Sequence, residues 1–430
     1  MHNLDLSIAD IAKIEGKATC DIKVRDGKVQ DVKFGIAEYK RFYTQAIRNK
    51  DILALPQLTA RICGTCSNAH LLCALNAVED AINLIPSEQT VLLRKLLHFG
   101  LIIRDHALHL YIFVLPDLFG RDSILDFDEN NPLEHKFLEA AFSVKAVGNN
   151  LSKRVGGRSV HAPFLTVGGF TRIPDENELK KSITELKGIR ENVLELIDIF
   201  AKRDLCLIKE DLNFAALIDD KYSFLDGDIL VSDGKKIPKK EYAKYLWHVV
   251  TPYSHASRYT FSGKLYMVGA LARLNLGKEN LNPRTLNDTR KYINLFLSKN
   301  IFHNNLAQGI EILHAIDSSI DILNDLKVVN EKPIFPVRRE GIGIGIIEAP
   351  RGTLYYKLDV DQTGKVKDGQ IVVPTGQNQI CIERTITRFL EKNIKVIKNR
   401  ETVELEVEKI VRAYDPCMSC ASHFLKFKWS

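Results

Sequence analysis

The chain carries two Cys-x-x-Cys pairs near its opposite ends, and a histidine follows each pair. The pairs are Cys63 with Cys66 and Cys417 with Cys420, and the histidines are His70 and His423. A single pair of this kind serves redox disulfides, structural zinc and other metals, so it is weak evidence by itself. Two pairs with the same trailing histidine favour one metal centre bound by four thiolates.

The spacing of the pairs bears on which metal they bind. In zinc ribbons the two pairs are roughly 15 to 20 residues apart and stabilise a small module. Here they lie near the two ends of a 430-residue chain with 45% hydrophobic residues, which can bury a core without a metal staple. Structural zinc is therefore the less favoured alternative, because soft thiolates also suit nickel, iron and copper.

The first pair is predicted to lie at the start of a helix. Ser67 and Asn68 are good capping residues, and they precede apolar residues at three- and four-residue steps that stop before Pro86. Cys66 would then lie where unpaired N–H groups and the helix dipole favour an anion. We expect this position to lower the pKa of the Cys66 thiol.

The second pair is predicted to lie in the first turn of another helix. Asp415 resembles an N-cap, and Pro416 resembles the first helical residue, where proline is favoured. Cys417 and Cys420 would follow in the opening turn, so this pair too would be presented as thiolates.

The elements that must position these pairs are predicted to be mostly helical. Hairpin signals occur at Arg25-Asp26-Gly27-Lys28 and Asp361-Gln362-Thr363-Gly364, and helical periodicity covers Gln89 to Leu115 (ending at Pro116) and residues 176–209 and 287–326. No linker rich in Ser or Pro divides the chain. We expect a single α+β domain over residues 1–430, with a core of bundled long helices and small sheets from the N- and C-terminal regions.

Composition narrows the range of partners and compartments. The formal charge of +6, from 60 basic and 54 acidic residues, is a mild bias without a nucleic-acid footprint. The sequence has neither a run of eighteen apolar residues nor a secretion signal, so we expect a cytoplasmic protein without a transmembrane segment. The isolated cysteines are expected in the core, and the chain has no further motif for an iron–sulfur cluster. They are Cys20, Cys73, Cys206 and Cys381.

Motifs along the whole chain match those of one protein family. The pairs fit Arg-x-Cys-Gly-x-Cys-x-x-x-His and Asp-Pro-Cys-x-x-Cys-x-x-His. Further matches are Lys13-Ile14-Glu15-Gly16, Gly156-Gly157-Arg158-Ser159-Val160-His161, Glu348-Ala349-Pro350-Arg351-Gly352 and Pro374-Thr375-Gly376-Gln377-Asn378. On these residues the chain resembles the large, catalytic subunit of nickel–iron hydrogenases.

The resemblance implies a nickel–iron centre that splits dihydrogen heterolytically, with the proton taken by a nearby base. Its ligands would be Cys63 and Cys417, terminal on nickel, and Cys66 and Cys420, bridging nickel to an iron that carries cyanide and carbon monoxide; Pro350 and Pro374 would lie beside the cofactor. By the same resemblance, the guanidinium of Arg351 would lie over the metals, and the carboxylate of Asp117 would pair with it. The hydroxyl of Thr375 would donate to a cyanide. By itself, Asp117 reads almost equally well as a plain loop aspartate.

Two more residues would act on the sulfurs. Glu15 matches the family's proton exit and would pass protons from the Cys417 sulfur, with apolar sequence neighbours that favour a raised pKa. His70, one helical turn past Cys66, would donate to a bridging sulfur. Tyr356 stands where the family usually has histidine.

A second, magnesium-like ion would bind His423 and the backbone carbonyl of Ile371. The family's glutamate ligand is replaced here by Thr44, so Glu38 or Gln45 would have to serve instead. The residues after His423, 424–430, resemble a C-terminal extension that a maturation protease removes after nickel-insertion factors have delivered the metal.

The resemblance further implies that electrons pass to an iron–sulfur small subunit, through which alone the chain would associate with a membrane. Three other kinds of protein share part of this pattern. A hydrogen sensor would use the same site without turnover, and a structural zinc protein would use the four cysteines alone. The related quinone-site subunit of respiratory complex I shares the fold but lacks the cysteines, which are present here.

Overall fold

The computed structural model describes residues 3–39, 42–202, 212–397 and 399–422. Its strands are β1 (Leu4–Ile8), β2 (Ala18–Arg25), β3 (Lys28–Ile36), β4 (Leu165–Thr166), β5 (Gly169–Phe170), β6 (Asn213–Ile218), β7 (Asp228–Val231), β8 (Lys236–Ile237), β9 (Leu246–Val249), β10 (Arg258–Phe261), β11 (Tyr266–Met267), β12 (Gly341–Ala349), β13 (Gly352–Val360) and β14 (Val366–Val372). Its α-helices are α1 (Tyr43–Ala46), α2 (Leu55–Thr59), α3 (Ser67–Ala81), α4 (Glu88–Ala107), α5 (Leu115–Phe119), α6 (Pro132–Gly156), α7 (Glu176–Lys202), α8 (Ala270–Gly277), α9 (Pro283–Asp288), α10 (Arg290–Ile293), α11 (His303–Asp325), α12 (Pro374–Asn393), α13 (Arg400–Ala413) and α14 (Met418–Ala421). The fold is α+β and mostly helical, as predicted.

The long helices α4, α6, α7 and α11 pack together as the core. Helices α4 and α6 approach closely at glycines: a Cβ on Gly148 would lie 2.7 Å from the backbone nitrogen of Arg104. Apolar periodicity predicted α4 and α7 but not α6. Apolar periodicity also placed the start of α11 too early: it predicted a helix from residue 287, whereas α11 begins only at His303. Residues 203–209 of the predicted α7 pattern lie outside the described residues.

Pro116 does not end the fourth helix, contrary to the prediction. Helix α4 continues through a π-helical segment, Leu108–Val114, into α5, where Pro116 lies in the first turn. Proline lacks the N–H that would bond back into the preceding turn, and the changed hydrogen-bond spacing of the π-helical segment accommodates it. The helix ends at Gly120, whose φ of +65° lets the chain leave in a left-handed conformation.

The segment Glu88–Phe119 is long and apolar enough to cross a membrane by length and composition. However, 83% of its most apolar window is buried inside the protein, as in the central helix of a globular core.

Small sheets flank the helical core. The antiparallel sheets β1–β2–β3 and β12–β13–β14 contain the two predicted hairpins. A mixed sheet, β11–β6–β7–β8, and a ribbon, β9–β10, come from the middle of the chain. The prediction that sheets come from the two terminal regions was therefore incomplete.

The two ends of the chain meet in one hydrophobic core. A single cluster of buried apolar side chains reaches from Leu4 to Ala421. Strand β3 joins α12, where the amide of Phe34 donates to Glu383 Oε1 at 2.8 Å. The isolated cysteines Cys20, Cys73 and Cys381 are buried, as predicted. The fourth, Cys206, lies outside the described residues.

Candidate metal centre

The four motif cysteines meet although they come from both ends of the chain. Their Sγ atoms all lie within 4.8 Å of one another, and all four side chains are buried. The sulfurs of Cys66 and Cys420 are 3.0 Å apart, and those of Cys63 and Cys417 are 3.5 Å apart. The predicted convergence on one site is confirmed.

The first pair is anchored to the segment that follows α6. Cys66 lies at the start of α3, as predicted, but it is itself the N-cap residue, and Ser67 and Asn68 do not cap the helix. The hydroxyl of Ser67 accepts from the amide of His161 at 3.0 Å, and the side-chain amide of Asn68 donates to the carbonyl of Ser159 at 3.0 Å. These bonds tie the helix start to the Gly156–His161 motif.

The second pair lies at a different kind of turn from the one predicted. Asp415 has a φ of +49°, and α14 begins only at Met418 with Cys417 as its N-cap. The prediction that Asp415 and Pro416 begin this helix is wrong. The Asp415 carboxylate accepts instead from the side-chain amide of Gln308 at 2.9 Å, so it is directed away from the helix start.

The four thiols of the cluster differ in the direction of their pKa shifts. Hydrogen bonds from the thiols of Cys417, Cys420 and Cys66 hold the pKa of Cys63 well below its usual value. Burial raises the pKa values of Cys417 and Cys420. For Cys66, hydrogen bonds with Cys417 and Cys420 lower the pKa, but the bond to Cys63 and burial outweigh them and raise it to about 11. The predicted lowering at Cys66 is therefore wrong for the metal-free thiol.

This charge distribution fits a metal centre. Four buried thiols can all ionise only if positive charge compensates them, and a soft divalent cation supplies that charge while it binds the sulfurs. The donor set therefore fits the nickel–iron group that the resemblance implies.

Arg351 forms a buried ion pair with two carboxylates next to the cluster. Its Nη1 lies 2.6 Å from Asp105 Oδ2, and its Nη2 lies 3.1 Å from Asp415 Oδ1. Burial lowers the pKa of Arg351, but the charges of Asp105, Asp415 and the nearby sulfurs of Cys417 and Cys66 outweigh it and hold the pKa well above its usual value. The guanidinium is therefore a permanent cation.

The predicted pairing of Arg351 with Asp117 is wrong. Asp117 lies on α5 and binds Arg412 and Lys13 instead, at 2.8 and 2.7 Å. Asp105 belongs to a stretch, Asp105–His109, that agrees weakly with the family, but sequence reasoning assigned it no role. A signal was available, because it is a carboxylate inside the apolar periodic run of α4, where a charge needs a buried partner.

Arg273 fixes the backbone next to Arg351. Its Nη1 donates to the carbonyl of Ala349 at 3.1 Å, and its Nη2 donates to the carbonyl of Pro350 at 3.0 Å. Glu311 binds the same guanidinium at 2.6 Å through Nε. All these groups are buried, so the Pro350–Arg351 turn is held from the protein interior. Arg273 thus supports the position of Arg351.

Glu15 contacts the second pair directly. Its Oε2 accepts from Cys417 Sγ at 3.0 Å and from the amide of Ser419 at 3.1 Å, while its Oε1 accepts from the hydroxyl of Ser419 at 2.6 Å. The backbone carbonyl of Glu15 accepts from the amide of Met418 at 2.9 Å. The carboxylate thus has polar partners, whereas sequence neighbours had predicted an apolar pocket.

His70 links the cluster to Tyr356. Its Nε2 lies 3.4 Å from Cys420 Sγ, and its Nδ1 lies 2.8 Å from the Tyr356 hydroxyl. Burial raises the pKa of Tyr356 well above its usual value, so the phenol keeps its proton. A phenol that donates to Nδ1 leaves the imidazole proton on Nε2, where it can be donated to sulfur.

Thr375 holds the backbone of the second pair. Its hydroxyl oxygen accepts from the amide of Cys417 at 2.9 Å, and its own proton stays free to be donated. Pro374 is buried at the first position of α12, and Pro350 is buried at the end of β12. Ile371 is buried on β14 opposite Tyr356.

Among the described residues, the group of His, Cys, Asp and Glu side chains close enough to hold a metal is the four cysteines, and Glu38 is not part of it. Glu38 Oε2 accepts from the amide of Lys17 at 3.2 Å. His423 and the extension 424–430 lie outside the described residues.

Arg104 is a further residue that the sequence did not single out. Its guanidinium donates to the carbonyl of Ser159 at 2.7 Å and to the carbonyl of Thr65, between Cys63 and Cys66. Arg104 therefore fixes the shape of the first cysteine loop.

Comparison with known proteins agrees with this site. The family model described as nickel-dependent hydrogenase matches residues 41–136 and 221–423, which include all four cysteines. The chain is 32% identical to the alpha subunit of sulfhydrogenase 1 of Pyrococcus furiosus over 98% of this chain and 99% of that protein. It is 30% identical to the alpha subunit of sulfhydrogenase 2 of the same organism, over 98% of this chain and 99% of that protein.

Solved structures share the fold. A NAD+-reducing [NiFe]-hydrogenase in its H2-reduced state superposes with a TM-score of 0.86 at 22% identity, covering 98% of this chain and all of that one. A [NiFeSe]-hydrogenase of Dm. baculatum superposes with a TM-score of 0.77 at 22% identity over the same share of this chain. Both sulfhydrogenase relatives are subunits, which implies a partner subunit here. Taken with the four buried sulfurs, these matches show that the chain belongs to the nickel-dependent hydrogenase family of oxidoreductases, and the four-cysteine group implies a nickel–iron centre.

Proposed function

We propose that this chain is the catalytic subunit of a hydrogenase that reversibly cleaves dihydrogen into protons and electrons. The observation that carries the proposal is a carboxylate at hydrogen-bond distance from one sulfur of the buried cluster: Glu15 Oε2 lies 3.0 Å from Cys417 Sγ. A catalyst must move protons at every turnover, whereas a structural zinc site has no use for such a contact.

The nickel–iron group, with cyanide and carbon monoxide on iron, supplies the heterolytic chemistry when it is bound. Cys63, Cys66, Cys417 and Cys420 would hold this group through their four buried sulfurs. The free hydroxyl proton of Thr375 is available for a hydrogen bond to a cyanide. The remaining steps belong to side chains of the chain itself.

Arg351 contributes a fixed positive charge. Because Asp105 and Asp415 keep its guanidinium protonated and immobile, it stabilises negative charge that develops nearby without having to reorganise. Arg273 keeps this guanidinium in place through the backbone carbonyls that it binds.

Glu15 moves the proton. A proton on the Cys417 sulfur can pass to Oε2 along the 3.0 Å contact, since this distance is within the range for direct transfer. Ser419 binds both carboxylate oxygens and thereby aims Oε2 at the sulfur. Glu15 is only partly buried and is followed by the exposed Gly16, so the proton can continue to solvent.

The electrons require partners. Among the described residues the cysteines outside the cluster are isolated, so an iron–sulfur small subunit would accept the electrons. Assembly would need nickel-insertion factors and a protease that cleaves after His423, and a magnesium-like ion would bind His423 with the carbonyl of Ile371. Such a complex would be cytoplasmic and would associate with a membrane only through partner subunits.

Arg351→Lys tests the catalytic role. An ammonium on a flexible stem cannot reproduce the two-sided pairing with Asp105 and Asp415, so we expect turnover of dihydrogen to fall about 100-fold or more. Nickel and iron contents, measured on the same preparation, should stay unchanged. The matched control is Arg190→Lys, which alters an arginine that binds Asp317 through Nε at 2.9 Å in the helical core.

Three outcomes would contradict this account. Full activity in Arg351→Lys would remove the fixed cation from the mechanism. Loss of metal together with activity would make Arg351 structural. A wild-type protein that binds dihydrogen but barely turns it over would instead be a sensor.

A further inference from the structure

Asp117 and Arg412 form a buried ion pair outside the cysteine cluster. Arg412 Nε donates to Asp117 Oδ2 at 2.8 Å, and Nη2 donates to Oδ1 at 3.2 Å, in the two-pronged geometry that arginine and carboxylate favour. Their side chains are only 1% and 2% exposed. The pair joins α13 to α5 at one fixed position.

The same pair holds the segment between β1 and β2. Arg412 Nη1 donates to the carbonyl of Ala12 at 3.0 Å, and the amide of Ala12 donates to Glu408 Oε1 at 3.1 Å. Lys13 Nζ donates to Asp117 Oδ1 at 2.7 Å. Both backbone polar groups of Ala12 and the side chain of Lys13 are therefore tethered to α13 and α5.

That segment depends on its tethers. Residues 9–17 form neither helix nor regular strand. Besides these tethers, the amide of Ile11 donates to the carbonyl of Ala18 at 3.3 Å and Glu15 forms a single bridge to Cys417, so a few separate bonds hold the segment in place of a ladder. Lys13 has a φ of +57°, a conformation that lysine rarely adopts unless its surroundings hold it. Glu15, two residues later, must keep its Oε2 at 3.0 Å from Cys417 Sγ, and direct proton transfer tolerates little displacement.

We propose that Asp117 and Arg412 are positioning residues that hold Glu15 within proton-transfer distance of Cys417. The inference rests on the proton path proposed above. It gives Asp117 a role that does not involve Arg351: the carboxylate acts on the proton-transfer segment through Lys13 and Arg412.

Asp117→Asn tests this role in the metal-loaded enzyme with its partner subunit. Asparagine keeps the shape of the side chain but removes the charge that binds Arg412 and Lys13. We expect exchange between dihydrogen and solvent deuterons to slow about 10- to 100-fold, because a small misplacement of a reacting group has effects of this size. Amide hydrogen exchange of residues 9–17 should become faster, with nickel and iron contents unchanged. Asp117→Glu, which restores the charge, should recover part of the rate.

Asp317→Asn is the matched control. Asp317 is buried and binds Arg190 Nε and Nη2 at 2.9 and 3.1 Å, in the same geometry, but it contacts the helical core. This variant should lower thermal stability to a similar degree while leaving both exchange measurements unchanged.

The variants separate failure of this inference from failure of the proton path. If Asp117→Asn keeps normal exchange by both measurements, or if Asp317→Asn slows gas exchange equally, the positioning role is overturned. Glu15→Gln should abolish the exchange of gas with solvent. Normal exchange in Glu15→Gln would overturn the proton path itself, together with the inference that rests on it.

Discussion

At the scale of single residues, Tyr356 is the most distinctive side chain of the site. Its buried phenol keeps its proton and lies 2.8 Å from His70 Nδ1, so the other imidazole nitrogen carries the hydrogen that points at Cys420. A neutral imidazole could otherwise place its proton on either nitrogen. Tyr356 therefore selects the tautomer whose Nε2–H is directed at the Cys420 sulfur.

Tyr356→Phe should weaken this support without emptying the site. The loss of one buried hydrogen bond of about 0.5 to 1.5 kcal/mol corresponds to a drop in turnover of roughly 2- to 10-fold. If the loaded enzyme carries the proposed carbon monoxide and cyanide, their infrared bands should shift in this variant, because electron density at the Cys420 sulfur changes. Tyr111→Phe is the control, since it removes a bond from a buried phenol to the carbonyl of Asn192, at 3.1 Å in the helical core. Unchanged bands in Tyr356→Phe would exclude the tautomer role.

The sequence identified residues whose side chains have few other uses, but it did not identify the residues that they contact. Cys63 and Cys417 were recognisable because paired thiols with a trailing histidine have few other uses. Asp105 and Asp117 look alike in sequence, and both lie close to apolar periodic residues. Only packing decides which one reaches Arg351, so the family resemblance was carried over to the wrong carboxylate.

At the scale of elements, β12 lies directly on α3. Three alternate glycines of the strand face the helix: Cβ atoms on Gly341, Gly343 and Gly345 would lie 2.2, 1.9 and 2.2 Å from the carbonyl oxygens of Ala81, Ala77 and Cys73. Every second residue of β12 thus meets every fourth residue of α3, because these spacings keep the contacting residues on one face of the strand and one face of the helix. This contact aligns the helix that begins after Cys66 with the strand that leads to Arg351.

Gly343→Ala should disturb both sides of the site. A methyl group at 1.9 Å from a backbone oxygen cannot be accommodated unless the strand moves, so we expect a loss of about 1 to 3 kcal/mol in the free energy of unfolding. The nickel content should fall as well, because α3 and β12 can no longer align. Gly188→Ala is the control: this exposed helical glycine faces open space, and the change should stabilise the protein by about 0.5 to 1 kcal/mol. A Gly343→Ala protein as stable as the wild type, with full metal, would contradict this packing argument.

Elements with strong local signals were predictable, and elements fixed by tertiary contacts were not. The Asp26–Gly27 turn and the apolar period of α3 are local and were found. The start of α14 was misplaced, because Asp415 is used by Gln308 and Arg351 instead of capping the helix. Pro116 was predicted to end the helix, but a π-helical segment directly before it lets the helix continue through the proline.

At the scale of the whole molecule, the fold brings the two ends of the chain together. The N-terminal segment with Glu15, the start of α3 and the start of α14 meet at one place, although they are far apart in sequence. Periodicity predicts helices but does not say which ends meet. The convergence could be anticipated only from the chemistry of the four cysteines and from the family resemblance.

The central claim is that cysteines from both ends hold one nickel–iron centre. The direct measurement is the elemental content of the chain, purified with its partner from a host with the maturation machinery, beside a Cys417→Ser variant. We expect nickel and iron in equal amounts, equimolar with the wild-type chain, and loss of nickel from the variant because one of the four thiolates is missing. Stoichiometric zinc without nickel in the wild-type chain would contradict it.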